Sequence, residues 1–197
     1  MKSHNLEVKM SNEFNRKDLL LLLLFSPGPS KTEGEPIDGR TRLMKLLFLL
    51  QADFPIEKLL DLKQKYDFEA YHYGPFTKDV YDDLEFLENV GLVEVVTKGY
   101  ASPVEQNEEE KLVEDTAIGE DEQTGLLFQE ESYKLTDRGL KFVREKLAPT
   151  VPEQLIQAIH DLKTKFAALP LTSILRYVYS KHPESAENTK LKHLISS

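Results

Sequence analysis

At 197 residues, 40% of them hydrophobic, the chain has enough apolar side chains to build a core of its own without cross-links. It contains no cysteine, which excludes disulfide frameworks, thiolate metal sites and cysteine nucleophiles. The formal net charge of -9 is unevenly placed: residues 98–131 hold two lysines against eleven carboxylates, whereas residues 132–197 hold eleven basic and six acidic side chains.

The N-terminal stretch lacks the uninterrupted apolar core and small-residue cleavage site of a secretion signal. The longest apolar run, Leu19 to Phe25, spans seven residues where a membrane helix needs about 20. A cytoplasmic protein is expected.

Residues 13–25, EFNRKDLLLLLLF, predict a first helix, closed by a breaker-rich loop around Pro27, Gly28 and Pro29. From Arg40 onward Leu43, Leu46, Leu47 and Leu50 recur at i, i+3, i+4 and i+7, predicting a second, amphipathic helix with Arg42, Lys45 and Asp53 on its outer side. Pro55 suits the start of a short third helix that continues the stripe with Ile56, Leu59 and Leu60. FEAYHY (68–73) is aromatic and alternating, which predicts an extended segment ending at Gly74. Pro75 then suits a helix start, and Phe76, Val80, Leu84, Leu87 and Gly91 trace the inner face of a fourth helix.

LVEVVTK (92–98) and SYKLT (132–136) predict an antiparallel strand pair on either side of the acidic insertion. Thr136 is placed to cap a helix bearing Leu140, Val143 and Leu147. Thr150, with Glu153 three residues on, predicts a capping box for a helix over 153–166, on which Leu155, Ile159, Leu162 and Phe166 align. A last helix follows Pro170. The whole order predicts a mainly α, α+β fold. A winged-helix-like domain occupies residues 1–150, its β-hairpin wing carries the acidic insertion 98–131, and C-terminal helices over 151–197 pack on it or are appended to it.

Catalytic patterns are missing. The five histidines (His4, His72, His160, His182, His193) include no pair at the helical spacing of shared metal ligands, so no metal is expected. His72, between two tyrosines, reads as a packed or hydrogen-bonded residue, and His160 and His182 read as surface or helix-end residues. There is no G-x-S-x-G elbow, and GPSKTEGE lacks the terminal Gly-Lys-Ser/Thr of a phosphate loop. A non-enzyme without cofactor is expected.

Nucleic acid is the main rival to a protein partner, because a winged helix normally inserts a cationic helix into the major groove. On residues 76–90 the one cation, Lys78, faces Asp79, Asp82, Asp83, Glu85 and Glu88, a poor match for DNA with one negative charge per about 1.7 Å. DNA contact would fall to Arg40, Arg42 and Lys45, or to the basic residues from Lys134 onward. Asp79, Asp82 and Asp83 fit a basic protein partner better, with Leu126, Leu127 and Phe128 of GLLF as apolar anchors in the insertion. Docking of the acidic insertion on the chain's own basic C-terminal third is the competing use of those charges.

GRTRLMKLLFLLQ (39–51), FEAYHYGPFTKDVYDDLEFLENVGLVEV (68–95) and YKLTDRGLKFV (133–143) together resemble the Panacea domain, an antitoxin-associated, winged-helix-like family. The likeness rests on Leu43, Lys45, Leu46 and Leu47, on Phe68, Glu69, Ala70, Tyr71, Tyr73, Gly74 and Pro75, and on Val80 and Tyr81. Met44 stands where a glutamine is usual and Tyr71 where tryptophan is frequent. The resemblance implies a non-enzymatic domain that neutralises a protein partner, a toxin encoded nearby, by binding it. A winged-helix transcriptional regulator is the alternative.

Overall fold

The computed structural model describes residues 14–60, 62–100 and 128–192, with the side chains of 98–100 and 128–130 left aside. Most of the acidic insertion, including Leu126 and Leu127, therefore lies outside the described residues, and Phe128 is described by its backbone alone.

The fold is mixed α+β, with several helices and two small sheets. Helix α1 (Arg16–Phe25) opens on a capping box: the Asn15 side chain accepts from Lys17 N at 2.8 Å, and Asp18 accepts from Asn15 N at 2.8 Å. Its seven residues Leu19–Phe25 are all buried, so it is a central helix without a wet face. Strand β1 (Ile37–Asp38) follows, then α2 (Arg40–Asp53) and the four-residue α3 (Ile56–Leu59).

The extended segment forms β2 (Glu69–Tyr71), and here one expectation is corrected. Pro75 does not start a helix; it lies in β3 (Gly74–Phe76), paired with Ala70 across a two-stranded ribbon. A proline is tolerated in such a ribbon where its missing N–H is not needed by the partner strand. Gly74 makes the turn with φ +84°, a backbone region that side chains disfavour. Helix α4 (Asp79–Asn89) begins three residues beyond β3, with Thr77 Oγ1 accepting from Asp79 N at 3.4 Å.

Strands β4 (Val93–Tyr100) and β5 (Phe128–Leu135) pair antiparallel from Val93↔Leu135 to Tyr100↔Phe128, and β1 adds to the other side of β5. Thr136 caps α5 (Asp137–Phe142), accepting from Gly139 N at 3.0 Å. A Cβ on Gly139 would sit 2.0 Å from Leu92 O, so only glycine lets α5 lie this close to the strand entry. The helix runs on through a π turn (Val143–Leu147) and a 3-10 turn (Ala148–Thr150).

The capping box at Thr150 is a second correction. Thr150 Oγ1 donates back to Leu147 O at 2.7 Å, closing the 3-10 turn, and α6 (Glu153–Phe166) starts from Pro152 without a side-chain cap. Helix α7 (Leu171–Lys181) and a 3-10 turn (Pro183–Ala186) complete the chain described. Both α6 and α7 pack on α2, and one apolar cluster extends from Phe14 to Leu191. The C-terminal helices thus share the core of the preceding residues.

Candidate partner-binding surface

Helix α4 sits on the core through Val80, Leu84 and Leu87, as its pattern predicts, and also through Asp83, which is 2% exposed. A buried carboxylate needs a cation. Arg16, at the start of α1, supplies it: its Nε donates to Asp83 Oδ2 at 2.7 Å, a terminal nitrogen bonds Asp79, and Lys17 Nζ lies 3.0 Å from Asp83. Burial works against the Arg16 charge, but Asp83 and Asp79 outweigh it and hold the guanidinium above its usual value. Tyr66 lies under this guanidinium, 5.5 Å from ring centre to Cζ, and its hydroxyl faces Asp83 without closing a well-formed hydrogen bond. Burial first, and the Asp83 charge next, push its phenol up.

Of the three carboxylates singled out on α4, Asp83 is therefore interior and Asp79 is tied to Arg16. Asp82 is exposed, with Lys78 at 4.0 Å, and Glu85 and Glu88 are exposed beside it. The outward charge of α4 is carried by Asp82, Glu85 and Glu88.

The β2–β3 ribbon adds aromatic surface. Tyr71 is 45% exposed; its ring lies 5.1 Å from Phe76, which lies 5.8 Å from Tyr81 on α4. His72 stacks on Tyr71 at 4.3 Å. The Arg40 guanidinium covers Tyr81 at 5.0 Å and is itself held by Glu131 through bonds of 3.0 and 2.7 Å. Burial pushes the Tyr81 phenol up to about 12.

Below, the ribbon is fixed on two sides. Lys45 Nζ donates to Pro75 O at 2.7 Å, and burial lowers the pKa of this lysine to about 7. Behind, Lys190 N donates to His72 O at 2.9 Å, Thr189 Oγ1 donates to the same oxygen at 3.2 Å, and Asn188 Nδ2 donates to Ala70 O at 3.0 Å. No protein-family model matches this chain, and no curated protein matches it.

The three α2 cations considered for nucleic acid are all engaged inside the fold. Lys45 is 2% exposed, which places it away from any phosphate. Arg42 donates to Asp38 O and Ala167 O, both at 3.1 Å, and to Leu169 O, closing the end of α6. Arg40 is taken up by Glu131 and Tyr81. A fourth cation, Lys163, was not singled out by pattern: it is fully buried on α6 and donates to Ser26 O at 2.6 Å and Glu35 O at 3.2 Å, with its pKa lowered by burial to about 8.

His160, on α6, and His182, just past the end of α7, are half-buried. His182 Nε2 lies 2.7 Å from Asp53 Oδ1, with Lys181 Nζ 2.9 Å from the other oxygen, and His160 Nδ1 lies 3.1 Å from Pro27 O. Among the described residues no group of three or more His, Asp or Glu could hold a metal ion, and no helix is long and apolar enough to cross a membrane. An open groove of about 400 Å³ between α2, α3 and residues 62–68 is lined by Phe48, Phe54, Ile56, Leu62, Tyr66 and Phe68. Its side-chain amide, Gln51, is occupied by the Tyr66 backbone at 2.9 Å in both directions.

Proposed function

We propose that this chain is a non-enzymatic protein-binding module of the Panacea type, an antitoxin-like neutraliser or regulatory adaptor that sequesters a protein partner. A toxin encoded nearby is the partner class that the resemblance suggests. The order α1, β1, α2, α4, β4, β5, with β1 on the far side of β5, supports a winged-helix-like body. The residues of the Panacea-like phrase lie in α2, in the β2–β3 ribbon and at the start of α4.

One observation carries the reading. Where a winged helix offers cations to DNA, α4 offers Asp82, Glu85 and Glu88, while Arg40, Arg42 and Lys45 are bonded within the fold. The partner is then a basic protein surface, and the mechanism is occlusion without turnover.

Two measurements test this. Fluorescence anisotropy with mixed-sequence duplex DNA at low salt should show no salt-dependent binding; a log–log salt slope of several units would favour the transcriptional regulator instead. Co-expression with the adjacent gene should relieve any toxicity that gene causes. Toxicity unchanged by co-expression sinks the antitoxin form of the proposal.

A further inference from the structure

Single exposed apolar side chains on a protein surface need no explanation. Tyr71 is different, because its ring continues through the half-buried Phe76 and Tyr81 as an unbroken strip from the ribbon onto α4, with centroid steps of 5.1 and 5.8 Å. The strip is preorganised: Lys45 and the C-terminal turn hold the ribbon, and Gly74 packs against the Tyr179 ring, where a Cβ would come within 3.2 Å. At one end the protein itself shows what such a ring accepts, since Arg40 covers Tyr81 and is neutralised by Glu131. At the Tyr71 end His72 stacks on one side of the ring, and no lysine or arginine covers the rest among the described ring contacts. Carboxylates flank the strip at both ends, and one exposed cation, Lys78, lies between Phe76 and Tyr81 in the chain. Glu69 is exposed, shares a face of β2 with Tyr71 and sits directly across from Phe76. Glu85 and Glu88 follow Tyr81 at i+4 and i+7, on the same side of α4.

We propose that the Tyr71–Phe76–Tyr81 strip, rimmed by Glu69, Glu85 and Glu88, is a docking surface for an arginine- or lysine-bearing segment of a protein partner. Cationic side chains lie over the exposed part of the Tyr71 ring and pair with the rim carboxylates. This deepens, and rests on, the protein-binding reading above; it names the face that does the binding and the chemistry it selects.

The test uses the full chain, labelled for backbone and aromatic NMR, titrated at low salt with a blocked hexa-arginine peptide and with a blocked hexa-glutamine peptide as control. Hexa-arginine should shift the Tyr71, Phe76, Tyr81 and Glu69 signals, and hexa-glutamine should not. Tyr71→Phe should keep the affinity measured at these signals. Tyr71→Leu, which keeps apolar area and removes the π face, should weaken it about three-fold. Tyr71 is 45% exposed and lies outside the buried core, so both variants should stay close to the parent in urea unfolding. Peptide shifts confined to residues 105–131 or to the Asp82 and Phe86 side of α4, or equal affinity for the Phe and Leu variants, would overturn the strip while leaving a protein partner in place. Failure of toxicity relief with these shifts intact would overturn the antitoxin reading and leave the strip.

Discussion

Helices α2 and α4 carry opposite charge and treat it in opposite ways. The cations of α2 at Arg40, Arg42 and Lys45 are bonded to Glu131, to carbonyls just beyond the end of α6 and to Pro75, so little positive charge reaches solvent from that helix. Of the five carboxylates of α4, two are bonded to Arg16, and Asp82, Glu85 and Glu88 remain outside. The charge written along a helix in sequence thus overstates the charge of its surface. What counts is which charges have a partner inside, and that division leaves the described face of α4 acidic.

The contrast breaks most sharply at Asp83. Asp83→Ala leaves Arg16 without its interior partner and should lower stability in urea unfolding by about 3–5 kcal/mol. Asp82→Asn, one residue away and exposed, should stay within about 0.5 kcal/mol. Equal losses would mean that Asp83 is not an interior charge.

Lys45 gives the next largest effect, and its sign is defined by pH. Its folded pKa of about 7 lies below the ordinary lysine value of 10.5. Between these values the unfolded chain binds more protons than the folded one, so stability rises with pH, by on the order of 4 kcal/mol from Lys45. The penalty for burying the charge is complete below pH 7 and is relieved above it. Lys45→Met should flatten the rise in chemical-unfolding free energy between pH 7 and 10, leaving the smaller contribution of Lys163. A slope identical to the parent's would remove the buried ammonium from the account.

Glu131→Gln should cost about 1 kcal/mol, since the Arg40 pair is half-exposed and partly screened. It should also raise the mobility of the Tyr81 ring, read from aromatic relaxation. The smallest effect sharpens the comparison: Glu85→Gln with Glu88→Gln should leave the unfolding free energy unchanged within about 0.5 kcal/mol and weaken hexa-arginine binding. A stability loss there would place these carboxylates among the structural ones.

Local chemistry was readable from the residues. The helix over 153–166, the Thr136 cap and the antiparallel pairing of the two long strands follow from spacing and from a side-chain oxygen three residues ahead of its donor. Lys45 was not readable: on a helical wheel it lies opposite Leu43, Leu46 and Leu47, which suggests solvent. Helix α2 is covered on both sides, by α1 and β1 and by α6 and α7, and periodicity reports only one buried face. Asp83 was hidden for a related reason. Its partner, Arg16, is 67 residues away, and nothing within α4 distinguishes an acid with an interior partner from one without. Pro75 misled because the left-handed Gly74 before it turns the chain into a ribbon, where a proline start for a helix was the local expectation.

The hydrogen bonds from Thr189 and Lys190 to His72 O bear on how the chain could be divided. A cut after Thr150 would remove α6 and α7 from one side of α2 and, in the same stroke, the support behind the ribbon that carries Tyr71. The stretch of residues 39–95 is therefore not a transplantable unit. Moved to another protein without the last 47 residues, it would keep its letters and lose the stiff base that sets its rings in line.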